Sequence, residues 1–159
     1  MRVGITGHRD LAGEVAEHVR HLLVTAVTEC DPAVLVGVSC LAAGPDCWFA
    51  EAVLAHGGRL EAVIPALRYR DFLPAAHRPV YDRLLGRASA LHGPDPDLAV
   101  CDGQAYMAAG RTLVALVDEL WAVWDGKEAR GPGGTGDVVA QALGQGLVPR
   151  VLWPTGASR

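Results

Sequence analysis

The chain has 159 residues, half of them hydrophobic and a fifth charged, which suits one globular domain and excludes disorder. A formal net charge of −4 speaks against a broad basic surface, so no nucleic-acid partner is expected. Cys30, Cys40, Cys47 and Cys101 show no CxxC spacing and no apolar run approaches the roughly 20 residues that span a bilayer, so neither a metal site nor a membrane is expected.

Met1-Arg2 leads straight into "VGITG" with no secretory signal, which points to a reducing cytoplasm. "RVGITG" (residues 2–7) reads as a first strand. Leu11, Val15, Val19, Leu22, Leu23, Ala26, Val27 and Cys30 then recur at three- and four-residue spacing, one face of a helix. Asp10 is placed to cap its start, and Pro32 lies past its end. "AVLVGVS" (residues 33–39) is apolar throughout, as a strand buried on both faces is. Gly44-Pro45 fits a helix start and Gly57-Gly58 its stop; "LEAVIP" (residues 60–65) is a third strand.

"ALRYRDFLPAAHRP" (residues 66–79) reads as a loop. Val80, Leu84, Ala88 and Leu91 suggest a helix, and "HGPDPD" (residues 92–97) a break. A helix over residues 103–117 carries Tyr106, Met107, Gly110, Leu113, Val114 and Val117 on one face. "ELWAVW" (residues 119–124) and "VPRVLWP" (residues 148–154) are the fourth and fifth strands, with a helix of Val138, Val139, Ala142 and Leu143 between them. The alternation predicts a Rossmann-like α/β fold over residues 1–159: a doubly wound, mainly parallel five-stranded sheet in three α/β/α layers. Ligands of such sheets bind at the carboxyl ends of the strands, which directs attention to four loops.

In "TGHRD", Gly7 permits a sharp turn, and His8 and Arg9 are expected at the rim, where an arginine pairs with a carboxylate or phosphate, or where the two tie down neighbouring loops. In "SCLAAGPD", Ser39 offers a hydroxyl and Gly44 leaves room for a ligand. Asp46 there either favours the helix dipole or bonds a sugar hydroxyl. In "WDGKEARGPGGTG", Gly131, Gly133, Gly134 and Gly136 surround Thr135 before a helix. Inward N–H groups, the helix N-terminus and the Thr135 hydroxyl together suit a phosphate, the alternative being a glycine loop that only shapes the fold. The pattern is neither GxGxxG after the first strand nor a Walker A loop. Asp137 follows in the first helical turn; it is a cap, a sugar contact or a proton-transfer group. Tyr69, Phe72 or Tyr106 can stack on a base, and Arg70 or Arg78 can reach a phosphate.

"VGITGHRDL", "SCLAAGPDCWFAEAVLAHGGRLEAVIP" and "WDGKEARGPGGTGDVV" together resemble the SLOG superfamily, a Rossmann-like group that includes the Lonely-guy enzymes and molybdenum-cofactor carrier proteins. The resemblance is nearest to small bacterial members with a Gly-His-Arg first loop. It implies a nucleotide or nucleotide-derived ligand across the first, second and fourth loops. Lonely-guy enzymes are phosphoribohydrolases with the motif PGGxGTxxE. Pro132, Gly133, Gly134 and Gly136 match that motif in register, whereas Asp137 stands where it has Thr and Ala140 where it has Glu. Asp137, Asp46, Asp125 or Glu128 are the carboxylates available to substitute for that Glu.

The leading expectation is a binding or sensing module for a nucleotide or nucleotide-derived phosphorylated ligand. Its contacts are Gly7, His8, Arg9, Ser39, Gly44, Asp125, Gly133, Gly134, Thr135 and Gly136, with Tyr69, Arg70 and Tyr106 as further contacts. One alternative is a phosphoribohydrolase acting on nucleoside 5′-monophosphates through Asp137 and Asp46. Another is a cofactor carrier or protein-interaction subunit. No resident cofactor is expected, and the resemblance implies a homodimer.

Overall fold

A computed structural model describes residues 1–11, 13–94 and 100–157. Residues 95–97 of the expected break lie outside the described residues. Strands β1 (Arg2–Gly7), β2 (Val36–Ser39), β3 (Arg59–Val63), β4 (Ala90–His92), β5 (Glu119–Val123) and β6 (Arg150–Val151) form one sheet in the order β4-β3-β2-β1-β5-β6. Every neighbouring pair is parallel. Crossover helices therefore join the strands, as parallel pairing demands.

Helices α1 (Gly13–Thr28) and α2 (Pro45–His56) cover one face. Their Val19, Leu23, Phe49 and Val53 pack with Val3, Ile5, Trp121 and Val123 of the central strands. Helices α5 (Gly103–Leu116) and α6 (Thr135–Gly144) cover the other, where Leu113, Val114, Val138 and Ala142 meet Val36, Val38 and Leu120. Side chains of β1 alternate between these layers. Gly4 points at α5's end: a Cβ there would lie 3.1 Å from Val117 and 3.4 Å from Leu113. A third cluster, built on Leu41, Leu60, Tyr69, Tyr81 and Leu84, lies under the short helices α3 (Tyr69–Phe72) and α4 (Arg78–Leu85).

The fold class is the one expected, with four corrections. The sheet has six strands, and the residues around Ala88 and Leu91 do not continue a helix. Helix α4 stops at Leu85. The Ser89 N–H and hydroxyl both donate to the Leu60 carbonyl, at 2.7 and 2.9 Å, and turn the chain onto the β3 edge. His92 Nε2 then meets Glu61 Oε2 at 2.8 Å. The last strand is shorter than expected, only Arg150–Val151. Within the supposed loop 66–79, Tyr69–Phe72 forms a helical turn and Ala75–His77 a 3₁₀ turn. No helix among the described residues is long and apolar enough to cross a membrane.

Candidate functional site

The strand order reverses between β1 and β5, so the loops leaving these two strands flank the crevice where doubly wound sheets hold ligands. They are tied together. The His8 backbone N–H donates to Val123 O at 3.1 Å, and His8 Nε2 lies 3.0 Å from Asp125 Oδ1. Both side chains are almost wholly buried, and Trp153 meets the imidazole edge-on at 5.8 Å. Asp125 Oδ1 also accepts from the Lys127 N–H at 3.2 Å. His8 and Asp125 thus brace the two loops across the switch point. Arg9 is exposed on the rim, its guanidinium 5.1 Å above the Tyr106 ring.

Here a cleft of about 640 Å³ opens, well within the range of small-molecule and cofactor sites. Its walls come from the β1 loop (Arg9, Asp10), the α3 region (Phe72, Pro74), the start of α5 (Asp102, Tyr106) and residues 129–135. Arg9, Arg130, Asp10 and Asp102 all line it, so the lining is mixed in charge rather than basic. Asp102 is already used: its Oδ1 accepts from the N–H groups of Gln104 and Ala105, capping α5.

The glycine-rich loop closes on itself. Gly134 N–H donates to Gly131 O at 3.1 Å, and Gly133 N–H donates to Asp137 Oδ2 at 2.8 Å. Among the described residues the N–H groups of Thr135 and Gly136 have no partner, leaving two donors at the start of α6. Gly133 has φ +76°, and a Cβ there would collide with the Tyr106 side chain and with Met107 N. Gly136 packs as tightly, 2.7 Å from Ala129 N for a Cβ. The glycines therefore bring the loop against α5 and residues 127–129.

The loop after β2 is rigidly held. Ser39 is fully buried; its hydroxyl donates to Asp46 O at 3.2 Å and accepts from Leu41 N–H at 3.0 Å. Leu41 takes a left-handed φ of 56°, a strained choice for a leucine. Its carbonyl lies 3.0 Å from His77 Nε2 and 3.4 Å from Cys47 Sγ. Gly44, at φ +93°, lets Arg9 O come within 3.0 Å of where its Cβ would be. Asp46 starts α2 buried, with Oδ2 accepting from Ala42 N–H at 3.3 Å. Burial pushes its carboxyl up to about 7, against the pull of Ala42 N–H, the Arg9 guanidinium and Cys40 N–H.

Asp46, Arg9, Tyr69 and Tyr106 meet in a small inner chamber of about 60 Å³ beneath the cleft. Tyr69 is buried and its ring meets Tyr106 edge-on at 6.3 Å. The remaining expected contact, Arg70, lies elsewhere: its guanidinium forks onto Asp82 with two 2.7 Å bonds at the exposed surface. Arg78 is likewise engaged, donating to Leu73 O and Asp71 O. Gly7 packs against Pro45 and Val123, 2.8 and 2.9 Å from where its Cβ would be, and so joins β1 to α2. Arg130, Asp102 and Pro74 line the cleft without having been singled out by sequence. Among the described residues no group of three or more His, Cys, Asp or Glu is placed to hold a metal ion.

Neither a protein-family model nor a curated protein matches the chain. Solved structures do. DNA processing protein A (DprA) from Streptococcus pneumoniae superposes with a TM-score of 0.70 at 23% identity, over 94% of this chain and 49% of that one. DprA from Helicobacter pylori, solved for its single-stranded DNA binding mode, gives 0.68 at 18% identity, over 99% of this chain and 68% of that one. TM1055, a structural-genomics target, gives 0.59 at 14% identity, over 92% and 70%. At such identities the likeness is one of fold, and this chain spans about half the length of the S. pneumoniae protein.

These neighbours correct one expectation. Nucleic acid was excluded on net charge, yet the fold is shared with a protein whose structure describes single-stranded DNA binding. An overall charge of −4 says little about a rim to which Arg9 and Arg130 both contribute, because phosphates respond to local cations rather than to the chain's sum.

Proposed function

We propose that the chain is a SLOG-type binding module that holds a nucleotide or nucleotide-derived phosphorylated ligand in the cleft between the β1 and β5 loops. The observation that carries this reading is the unpartnered N–H of Thr135, with that of Gly136 next to it at the start of a ten-residue helix, in a cleft that Thr135, Arg9 and Arg130 line together. Backbone donors, the helix dipole and two guanidinium groups suit a phosphate monoester. Phe72, about half exposed, and Tyr106 supply aromatic surface for a base on the same walls.

Binding without turnover is favoured over hydrolysis. Asp137 is engaged by Gly133 N–H, and Ala140, where the resembling enzymes carry Glu, is exposed. A second reading follows from the fold shared with the DprA proteins: the phosphate belongs to a nucleic-acid strand. Calorimetric titration with nucleoside 5′-monophosphates, the matching nucleosides and a short single-stranded oligodeoxynucleotide separates these. Monophosphates are expected to bind at least tenfold tighter than nucleosides, and Arg9→Ala or Arg130→Ala to weaken them at least fivefold. Equal affinity for nucleoside and monophosphate sinks the phosphate assignment. Tight binding of the oligodeoxynucleotide alone moves the assignment to a strand.

A further inference from the structure

We propose that the inner chamber under the cleft reads the free vicinal hydroxyls of a ribose, so that the site selects free ribonucleotides over deoxyribonucleotides and over the interior of a strand. This rests on the phosphate reading above and assigns the ligand's sugar.

The chamber adjoins the cleft, and Arg9, Tyr106 and Gly133 belong to both walls. A ligand whose phosphate sits at Thr135 passes Gly133 on its way down. At about 60 Å³ the chamber takes only a few non-hydrogen atoms, given the roughly 30 Å³ that a water molecule claims in the liquid. A nucleobase ring is too large for it. A phosphate is excluded by size and by the buried carboxyl of Asp46.

What the chamber offers is hydrogen bonding. The Tyr69 hydroxyl is buried and has no hydrogen-bond partner in the protein. A buried phenol without a partner is the kind of group that a ligand or a water satisfies. Asp46 accepts from Ala42 N–H through Oδ2, and a carboxylate has further lone pairs to accept with. Arg9 adds donors from the mouth. Ile5, Ala109, Leu113 and Val138 give it apolar wall, and Thr6 and Cys40 add a hydroxyl and a thiol. A hydroxyl donates to a carboxylate while accepting from a phenol or guanidinium, and a vicinal pair does both twice. Free vicinal hydroxyls occur on a ribonucleotide and at the 3′ end of RNA, and not within a DNA strand.

A site built around a hydroxyl rejects the analogue lacking it, because its own buried groups are then unpaired. The test is calorimetry on the full chain with the four ribonucleoside 5′-monophosphates and their 2′-deoxy counterparts. The same titrations are run on Tyr69→Phe and Asp46→Asn, which preserve shape. Wild type is expected to bind the best ribonucleotide at least tenfold tighter than its 2′-deoxy form. Tyr69→Phe and Asp46→Asn are each expected to bring that ratio below threefold, with affinity for the deoxy form nearly unchanged. Equal binding of ribo and deoxy forms by wild type overturns the proposal while leaving the phosphate reading intact. So does a ratio that both variants preserve. Binding of neither form overturns the phosphate reading and this inference together.

Discussion

Asp137 Oδ2 accepts a 2.8 Å hydrogen bond from the backbone N–H of Gly133, four residues earlier. The bond closes the glycine-rich loop on the first turn of the helix it leads into. It also consumes one N–H that an anion would otherwise use, and it gives the carboxylate a structural task. Asp137→Ala is expected to lower stability by about 1 kcal/mol, the usual effect of losing such a cap. Asp137→Asn keeps an acceptor and is expected to stay within about 0.5 kcal/mol of wild type. With a negative charge gone from beside the helix N-terminus, Asn should also tighten phosphate-ligand binding severalfold. Urea unfolding and calorimetry on both variants check this. Free base released from a nucleoside monophosphate by wild type and not by Asp137→Asn would instead make the residue a catalyst.

Gly133 and Gly131 are two residues apart and should respond unequally to alanine. Gly133 has φ +76°, and its Cβ would collide with Tyr106 and sit 2.9 Å from Met107 N. Left-handed strain and overpacking add, so Gly133→Ala is expected to cost about 2–4 kcal/mol. A Cβ on Gly131 meets nothing within 4 Å, so Gly131→Ala should be neutral within about 0.5 kcal/mol. Thermal melts of the two variants decide it; a shared small effect would mean that the loop does not pack on α5.

What could be read from sequence follows from how local each feature is. Gly44-Pro45 and Gly57 bracket α2 as expected, because a helix start and a left-handed stop are encoded in adjacent residues. The placement of "GPGGTG" at the start of α6 was equally legible. Strand β4 was not: three residues carry no period, and the strand exists because Ser89 and His92 find Leu60 and Glu61 about thirty residues away. His8 was expected on the rim, but its ring turns inward to Asp125, 117 positions along the chain. Ser39 offered a hydroxyl to a ligand, and the fold spends it on Leu41 and Asp46. Arg130 lies within the quoted loop, yet no local pattern separates it from a solvated arginine.

Burial raises the Asp46 carboxyl from an ordinary 3.8 to about 7, so the folded state holds the proton more tightly than the unfolded chain does. Its contribution to stability is fully present below about pH 4 and is lost as pH rises through 7. Between pH 5 and pH 8 that amounts to a fall on the order of 2–3 kcal/mol. Arg9, Cys40, Tyr69 and Tyr106 line the same chamber and remain in an Asp46→Asn variant. The variant should therefore lose this part of the pH dependence and become relatively more stable at pH 8. Denaturant titrations of both proteins at pH 5 and 8 measure it; parallel pH profiles would show that Asp46 is charged and well solvated in the fold.

Leu41 sets two effects against each other. Its left-handed φ of 56° would be relaxed by glycine, a gain of about 1 kcal/mol. The side chain is fully buried, in the cluster with Cys47, Tyr69 and Tyr81, and removing a buried leucine typically costs about 3–5 kcal/mol. Burial wins, so Leu41→Gly is expected to be destabilised by about 2–4 kcal/mol despite the better backbone fit. The substitution also frees the loop that presents Ala42 N–H to Asp46, so nucleotide affinity should fall along with stability. A lower urea midpoint at unchanged slope, together with weaker nucleotide binding, is the expected result. A variant as stable as wild type would mean that the left-handed strain at Leu41 is as large as its burial.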